Sequence, residues 1–494
     1  MRKIVYLPLD ERPCNYDFPY LVTEGSENIL MARPPIEAMG KKKQAAECRR
    51  LCDFLLHECR DADYLILALD TLLYGGIIPS RLHHSGREEL AGRLDVLRRV
   101  KEINPKIRIS AFSLIMRCPC YSDSSEEPDY YAECGREIFL YGQNEHKFKL
   151  GEITQDEYDK ERARLSACLP YIEDYEERRA TNLSLLSDTL IMVGEYIDEI
   201  TILQDDSNAR GYTAMDREQV LRIVKEHGIS LDTYPGADEG GMTLLSRAVC
   251  YLEGKKPKIF VAYPRDGAAD VVPIYEDREI RKTVSAQIES AGGVQCFSEK
   301  EADFILFCNL NDERTYDVYL NETRQKDEGY IPAFTDRIVK TLDSGRGAAI
   351  ADVAYCNAAD ASFVLDLAKK TDVLKLWGYA GWNTSSNTLG TVICQGVLRY
   401  LYGNTETHRR FTAYRMMDDA IYSAIVRPEV RERYRDKDGA LPERGECAKL
   451  ITKRINEVTA DKLPSIAKKY TVTDCHLPWQ RLFEIGLKIK EIES

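Results

Sequence analysis

The hydrophobic positions of the chain form short continuous runs that alternate with amphipathic stretches. The apolar runs are rich in β-branched residues and predict strands at 3–9, 28–32, 63–69, 107–115, 199–204, 230–234, 258–263, 294–298, 303–308, 348–353 and 374–379. Between the strands, helical spacing of apolar residues predicts helices at 41–60, 86–103, 214–227, 240–253, 278–291, 330–344 and 386–402. Because the strand runs are apolar throughout, we expect parallel strands that are buried on both faces.

This alternation predicts an α/β protein with two doubly wound, mostly parallel-sheet domains. We expect a first domain at 1–254 that carries a charged helical insertion at 128–196. A second domain would follow at 255–403, with a helical C-terminal extension at 404–494. A single large barrel with insertions is the alternative architecture. The stretch 285–309 has the pattern of a helix and two strands joined by short turns, which favours open sheets.

The composition and net charge of the chain argue against some classes of binding partner. The chain has 494 residues, is 44% hydrophobic and carries a net charge of -13, which argues against nucleic acid or an anionic membrane surface as a partner. Its first apolar run is interrupted by Asp10 and Glu11, which predicts a strand rather than a signal peptide, and no window resembles a membrane span. We therefore expect a cytoplasmic protein whose 15 cysteines are free, mostly buried thiols.

Charged and polar side chains follow the predicted strands of the first half. In parallel α/β sheets, ligands bind beyond the carboxyl ends of the strands. Those ends carry Asp10, Glu11, Arg12 and Asn15, then Asp70, Tyr74 and Arg81, then Arg117, then Asp205, Asp206 and Asn208, and finally Asp238 and Glu239. One such acid is often only a helix cap. Acids at successive strand ends must be solvated, paired or engaged with a ligand, and their repetition favours a functional cluster.

Two further groups lie in the second half. The predicted strand at 348–353 ends in Asp352 and is followed by Asn357. The stretch "GYAGWNTSSNTLG" at 378–390 places Trp382, Asn383, Thr384 and Asn387 on a strand-to-helix turn. The hydroxyl and amide groups fit either a helix N-cap or an anion-binding helix N-terminus. An N-cap has no need of an indole, whereas a Trp beside hydrogen-bonding side chains suits stacking on the apolar face of a sugar.

Five motifs together resemble a known family. They are "LPLDERPCN", "DTLLYGGIIPSR", "QDDSNARGY", "PGADEGGMTLLSRA" and "GYAGWNTSSNTLGT". The combination is similar to the bacterial domain-of-unknown-function family DUF4127, and the resemblance covers essentially the whole chain. It implies no established activity, so a hypothesis of function depends on the residues themselves.

The absence of familiar motifs favours carboxylate chemistry. Neither a dinucleotide fingerprint, a P-loop nor a nucleophile elbow occurs in the chain, and the seven His are scattered. We predict a carbohydrate-active enzyme, a glycoside hydrolase with paired carboxylates in an interdomain cleft, that needs no cofactor. The catalytic candidates are Asp205, Asp206, Asp10, Glu11 and Asp70. The substrate-binding candidates are Arg12, Asn15, Tyr74, Arg81, Arg117, Asn208, Asp238, Glu239, Asp352, Asn357, Trp382, Asn383, Thr384 and Asn387.

Two alternatives stay open. The same carboxylates could hold Mg²⁺ or Mn²⁺ in an enzyme that acts on a phosphorylated or carbonyl substrate. The protein could also bind a sugar without turning it over. In each case the expected partner is a small molecule, with neither nucleic acid nor membrane involved.

Overall fold

The computed structural model of the protein describes residues 1–205, 207–311, 313–318, 329–434 and 441–492. The chain forms two compact units, each assembled from separate segments. Unit 1 comprises Met1–Glu11, Met31–Gly241 and Tyr275–Asp277, and unit 2 comprises Arg12–Leu30, Met242–Ile274 and Arg278–Ser494.

The strands in the described part of the chain are β1 (Arg2–Leu7), β2 (Ile29–Ala32), β3 (Tyr64–Ala68), β4 (Arg108–Ile115), β5 (Glu199–Gln204), β6 (Asp232–Pro235), β7 (Lys258–Ala262), β8 (Val294–Cys296), β9 (Phe304–Asn309), β10 (Tyr316–Asp317), β11 (Gly347–Asp352), β12 (Tyr355–Cys356), β13 (Gly378–Ala380), β14 (Tyr470–His476) and β15 (Gly486–Glu491). Eleven of these strands correspond to predicted apolar runs, whereas β10, β12, β14 and β15 were not predicted. Every residue of β3 and of β9 is buried, as expected for central strands of covered parallel sheets.

The helices lie between and after these strands. They are α1 (Pro13–Tyr16), α2 (Phe18–Leu21), α3 (Cys48–Glu58), α4 (Leu69–Tyr74), α5 (Pro79–Leu82), α6 (Arg87–Ile103), α7 (Tyr131–Lys149), α8 (Gln155–Arg164), α9 (Leu169–Ile191), α10 (Tyr212–His227), α11 (Gly240–Glu253), α12 (Ile280–Ser290), α13 (Ile331–Asp343), α14 (Ala361–Lys370), α15 (Ser385–Tyr402), α16 (Glu406–Arg415), α17 (Arg427–Arg433), α18 (Glu446–Lys462) and α19 (Pro464–Ala467). A π-helix at Met416–Val426 joins α16 to α17.

Two open sheets confirm the predicted α/β fold, and the barrel alternative is wrong. The first sheet has the order β2-β1-β3-β4-β5-β6 and the second has the order β13-β11-β9-β7-β8. Counted from its own first strand, each sheet begins 2-1-3-4-5, so strand order reverses between β1 and β3 and between β7 and β9. Such reversals are the switch points at which doubly wound folds bind ligands.

Several boundaries differ from the sequence-based predictions. The helix expected from 41 begins only at Cys48, where the amphipathic pattern becomes regular. The strand predicted at 374–379 is a 3₁₀ turn at Val373–Lys375 followed by the short strand β13. The C-terminal region is helical as predicted, but it also contains the antiparallel pair β14 and β15, which was not predicted.

The expectation that all cysteines are free is wrong. Cys134 at the start of α7 forms a disulfide with Cys168, just before α9. The other 13 cysteines are free, and most of them are buried. Within the described ranges, none of the helices is both long and apolar enough to cross a membrane.

Candidate functional site

The structure places three of the predicted acids of unit 1 just beyond its strands. Asp10 follows β1 and is buried, Asp70 lies in the first turn of α4 after β3, and Asp205 directly follows β5. Asp206, the predicted neighbour of Asp205, lies outside the described residues. The geometry of the predicted pair is therefore not part of the structure, and its catalytic role stays a prediction.

Asp70 is held by hydrogen bonds, and the charge of Arg81 has a smaller effect on it. Its Oδ2 accepts hydrogen bonds from the Ser113 hydroxyl and the Leu114 N–H, each at 3.0 Å. Burial raises the pKa of Asp70 to about 6, because a buried carboxylate loses its hydration. Asp70 can therefore change its charge near neutral pH.

Arg81 and Arg117 share a group of acids in unit 1. Arg81 contacts Asp205 at 2.7 Å and Glu127 at 3.2 Å. Arg117 contacts the same Glu127 at 2.7 Å and Glu126 at 3.0 Å. We call these five residues the shared-arginine network. Sequence reasoning identified both arginines and Asp205 but missed the two glutamates, which lie on the loop after β4.

Two other predicted residues of unit 1 have local partners. Tyr74 is buried, and its ring stacks on His83 with ring centres 4.7 Å apart. Glu11 accepts a hydrogen bond from the Lys42 backbone N–H at 2.7 Å. These contacts fix the two side chains within unit 1 and assign neither a chemical role.

The predicted residues after β5 and β6 differ in exposure. Asn208 is exposed, whereas Asp238 and Glu239 are buried. Glu239 lies just before α11 and accepts a hydrogen bond from the Ala237 N–H at 3.0 Å. This contact lies within the turn between β6 and α11 and does not cap the helix, because the donor precedes Glu239.

In unit 2, part of the Trp-containing stretch begins a helix. Thr384 is the N-cap of α15, and its hydroxyl donates to the Asn387 Oδ1 at 2.7 Å. The Asn387 N–H donates back to the Thr384 hydroxyl at 3.5 Å, which completes a capping box. The N-cap interpretation therefore accounts for both side chains, whose predicted role in substrate binding stays untested.

Trp382 is fixed by hydrogen bonds at two positions. Its backbone N–H donates to the Thr388 hydroxyl at 3.0 Å, and its indole Nε1–H donates to the Thr391 hydroxyl at 3.2 Å. The ring packs edge-on against Phe18 with centres 5.5 Å apart. The indole stays partly exposed, so one part of a rigidly held aromatic ring remains accessible.

Two asparagines beside Trp382 have left-handed backbone conformations. The φ angle is 67° at Asn357 and 48° at Asn383. The Asn357 N–H donates to the Asn383 carbonyl at 2.8 Å, which ties the two turns together. Non-glycine residues rarely adopt positive φ, and where they do the strain often lies at a functional site.

Asp352 is a buried acid that connects neighbouring strand ends in this region. Its carboxylate accepts hydrogen bonds from Asn309 at 2.8 Å, from the Asp360 N–H at 2.9 Å and from the Tyr379 hydroxyl at 3.0 Å. Burial, followed by the charge of Asp360, raises the pKa of Asp352 to about 7. With no exposed surface and three protein donors, Asp352 links strand ends within unit 2.

A buried arginine connects the π-helix to the Trp382 turn. Arg415 has no solvent exposure and contacts Asp418 at 3.1 Å as well as Asp419. Asp419 accepts a hydrogen bond from the Gly381 N–H at 2.8 Å, and the Arg415 guanidinium lies 5.4 Å from the centre of the Trp382 ring. π-Helical segments are rare in proteins, and those that occur are often found at functional sites.

Burial raises the pKa of both acids of the π-helix. For Asp418 the neighbouring Arg415 and Arg427 partly offset the effect of burial. For Asp419 burial raises the pKa to about 7, with Arg415 again opposing the shift. Asp419 can therefore carry a proton near neutral pH.

These elements border a small cleft within unit 2. Its walls include Trp382, Asn357, Asn383, Asp418 and Glu484. We call it the Trp382 cleft. Its enclosed part measures about 30 Å³, enough for one or two water molecules. Two carboxyl groups, two amides and an indole therefore border one concave site.

Cations lie close to the second acid of the cleft. Glu484 contacts Arg481 at 3.0 Å and Arg12 at 3.7 Å. The guanidinium of Arg12 also lies 4.6 Å from the centre of the Trp479 ring. The predicted residue Asn15 is fully buried in α1. Arg12 was predicted from the sequence, whereas Asp418 and Glu484 were not.

A family match covers almost the entire chain. The model for the protein of unknown function family DUF4127 matches residues 4–488.

The chain belongs to the DUF4127 family.

This match confirms the resemblance inferred from the five motifs. No curated protein matches this DUF4127 chain. Among the described residues, no group of three or more His, Cys, Asp or Glu side chains is arranged to hold a metal ion. The divalent-metal alternative therefore stays a prediction.

Proposed function

We propose that this DUF4127 protein is a carbohydrate-active enzyme, that its reaction is glycoside hydrolysis, and that the Trp382 cleft is its active site. The observation that carries the proposal is that the hydrogen-bonded Trp382, which is partly exposed, lines the same cleft as two carboxyl groups, Asp418 and Glu484. Glycosidases act with two carboxyl groups of different protonation state and require no other reactive side chain.

The neutral side chains support a sugar as the substrate. A sugar ring has an apolar face that stacks on an indole and a rim of hydroxyls that need hydrogen bonds. Asn357 and Asn383 border the same cleft as Trp382, and an amide can both donate to and accept from a hydroxyl. Because the enclosed volume is only about 30 Å³, the sugar would lie across the mouth of the cleft with one substituent inside.

The two acids have different surroundings, which supports different roles. Burial raises the pKa of Asp418 and so favours its protonated form, which supports a role as the proton donor to the departing glycosidic oxygen. Glu484 lies against two guanidinium groups, which favour its charged form. Glu484 would then be the carboxylate that attacks the sugar or activates water. In this proposal the reaction needs no cofactor.

Conservative substitutions of the two acids test the proposal. Asp418→Asn and Glu484→Gln each keep the shape of the side chain and remove the carboxyl, and loss of a general acid or base costs about 10²–10⁴-fold in rate. The measurement is turnover of a panel of aryl glycosides, with melting curves to confirm the fold. Asp418→Asn should retain more activity on dinitrophenyl glycosides, whose leaving group needs no proton. Glu484→Gln should lose activity on every substrate.

Two control variants sharpen this experiment. Asp205→Asn replaces the catalytic candidate predicted from the sequence, and Glu429→Gln replaces an exposed acid that pairs with Arg454. Both should retain parental turnover if the Trp382 cleft is the active site. A loss confined to Asp205→Asn would move the reaction to the strand ends of unit 1. A parent that cleaves no glycoside would contradict glycoside hydrolysis itself.

We also propose a cytoplasmic location. The 13 free cysteines fit a reducing compartment, and the Cys134–Cys168 disulfide is the exception. Thiol titration of denatured protein from cells lysed in a thiol-blocking reagent would measure the free thiols. Extensive oxidation beyond this single pair would contradict the proposal.

A further inference from the structure

A large groove of unit 1 takes no part in the proposed reaction. It measures about 900 Å³, which is within the size range of small-molecule sites. Residues from α3 and α6 form its walls, together with the segments that precede α3 and follow α5. We call it the cationic groove, after four of its lining residues: Lys43, Arg49, Arg93 and Arg99. His83 and His84 also line it.

The charge of this groove contrasts with that of the chain. Lys43 and three arginines line it against two acids, Glu47 and Asp53, whereas the whole protein carries a net charge of -13. A concave surface with one predominant sign of charge concentrates ligands of the opposite sign. The expected ligand is therefore an anion.

Two of the arginines have no ion-pair partner in the described part of the chain. Lys43 contacts Asp129 at 2.8 Å, and Arg93 contacts Glu89 at 2.5 Å. Arg49 and Arg99 make no side-chain hydrogen bond or ion pair with any described residue, and both are exposed. Guanidinium groups bind phosphate with paired hydrogen bonds, so these two side chains are suited to an incoming phosphate.

A glycine keeps one wall of the groove open. Gly92 lies inside α6, where a glycine typically costs about 1 kcal/mol relative to alanine. A Cβ placed on Gly92 would meet no atom within 4 Å, so packing does not require a glycine there. The absence of a side chain leaves space in the groove that a ligand could occupy.

His83 adds a neutral hydrogen-bonding group. Its Nε2 lies 2.7 Å from the Asn182 Oδ1, and the Asn182 amide nitrogen donates to the Ser80 carbonyl, which fixes the amide orientation. A neutral His83 therefore carries its proton on Nε2 and presents Nδ1 as an acceptor. Nδ1 is buried and has no hydrogen-bond partner among the described residues, and the ring stacks on Tyr74. An acceptor beside cations suits a ligand that has a hydroxyl as well as a phosphate.

We propose that the cationic groove is a binding site for a phosphorylated small molecule that carries hydroxyl groups, such as a sugar phosphate. The phosphate would pair with Arg49 and Arg99, and the hydroxyl-bearing part would lie along Gly92 toward His83. The volume of about 900 Å³ exceeds that of a phosphate ion and leaves room for this second part. This site lies in unit 1 and does not depend on the proposed reaction in the Trp382 cleft.

Calorimetric titration of the full chain with glucose-6-phosphate tests the proposal, with inorganic phosphate and glucose as comparison ligands. At an ionic strength of about 0.15 M, long-range attraction is largely screened. The sugar phosphate should bind more tightly than phosphate, and glucose should not bind in the groove. The double variant Arg49→Gln/Arg99→Gln should weaken binding at least tenfold, by the loss of two charged contacts.

The neighbouring residues provide a matched control. Arg50 and Arg98 lie on the same two helices but pair with Glu47 and Asp95, each at 2.8 Å, and do not line the groove. The double variant Arg50→Gln/Arg98→Gln removes the same charge and should change affinity less than twofold. An equal loss of affinity in both double variants would show that the effect comes from net charge alone and would contradict the proposed site. No binding by the parent would also overturn it.

A third variant tests the shape of the groove without changing its charge. Gly92→Gln adds a side chain at the open wall and a residue with better helix propensity. The protein should melt at the same or a higher temperature, and sugar phosphate should bind several-fold more weakly. Unchanged affinity for the sugar phosphate in this folded variant would contradict the proposed path along Gly92.

Discussion

The two units pair buried arginines with acids in different ways. In unit 1, the shared-arginine network gives Glu127 two cations, Arg81 and Arg117. In unit 2, Arg415 contacts both Asp418 and Asp419, and Arg427 is a second, neighbouring cation for Asp418. Removal of one arginine leaves Glu127 with a partner, whereas removal of Arg415 takes the contacting cation from two buried acids and leaves Asp418 with the neighbouring Arg427.

This difference in the number of arginines affects how the Trp382 cleft is stabilised. Arg415 is completely buried and lies 4.3 Å from the Phe18 ring centre and 5.4 Å from that of Trp382. Its partner Asp419 also holds the Gly381 N–H. Arg415 therefore stabilises the Trp382 cleft in two ways: through Asp419 it holds the Gly381 backbone, and it packs near the Trp382 ring. The network of unit 1 distributes a similar charge over more residues.

The largest expected effect is that of Arg415→Met. It removes the cation and leaves Asp418 and Asp419 buried, a change that typically costs about 3–5 kcal/mol. Urea denaturation at neutral pH measures the loss of stability. As a control, Arg409→Met in α16 removes a partly exposed arginine that pairs with Glu406 and should cost about 1 kcal/mol or less. Equal losses in the two variants would show that Arg415 does not stabilise the buried acids.

The next effect concerns the redundancy of unit 1. Arg81→Met and Arg117→Met should each cost about 1–3 kcal/mol, less than Arg415→Met, because Glu127 keeps one cation in either variant. The double variant should cost more than the sum of the two, by about 0.5–3 kcal/mol. The measurement is a double-mutant cycle by urea denaturation. Strict additivity would mean that the two arginines do not share Glu127.

Much of the fold could be predicted from local patterns. Continuous apolar runs such as 63–69 and 303–308 favour strands of buried parallel sheets; the observed β3 lies within the first, and β9 extends one residue beyond the second. The carboxyl ends of β1 and β3 then follow from chain direction, which explains why Asp10 and Asp70 were identified. The antiparallel pair β14 and β15 was not predicted because its apolar residues alternate with polar residues in a charged, mostly helical region of the chain.

The residues of the Trp382 cleft were harder to predict because they come from distant parts of the chain. Glu484 follows no predicted strand, and no local pattern relates it to Trp382. A signal existed for Asp418 and Asp419, since "YRMMDDAIY" places two acids and an arginine among apolar residues. Acids in such a context must be buried and paired. The common cleft expected for the strand-end acids of unit 1 and the Trp382 turn stays a prediction.

A titration experiment extends the comparison to Asp70, an acid that is held by hydrogen bonds. Asp70→Asn keeps an oxygen to accept from Ser113 and Leu114 but removes the buried charge. The folded-state pKa of Asp70 is raised from 3.8 to about 6, so the folded parent binds the proton more tightly and loses stability as pH rises between these values. Near pH 7, Asp70→Asn should be more stable than the parent by about 1–3 kcal/mol.

Urea denaturation at several pH values between 4 and 7.5 checks this sign. The parent curve should fall more steeply with rising pH than that of Asp70→Asn, and the two should converge near pH 4. A parent that gains stability relative to the variant as pH rises would show that Asp70 is stabilised in its charged form. The catalytic role predicted for Asp70 would then regain support.

The smallest expected effect compares two capping boxes. Thr154 with Glu157 begins α8 in unit 1 on an exposed surface, whereas Thr384 with Asn387 begins α15, whose first fourteen residues are buried. Loss of an N-cap threonine costs about 0.5–2 kcal/mol. Water can replace the lost contact at Thr154 more easily, so Thr154→Ala should lie near the lower limit and Thr384→Ala near the upper limit. Thermal and urea denaturation measure both. If Thr384 acts only as a cap, glycoside turnover of Thr384→Ala should match the parent below its melting transition. A fall in turnover without a fall in stability would instead make Thr384 a substrate-binding residue, as its position beside Trp382 first suggested.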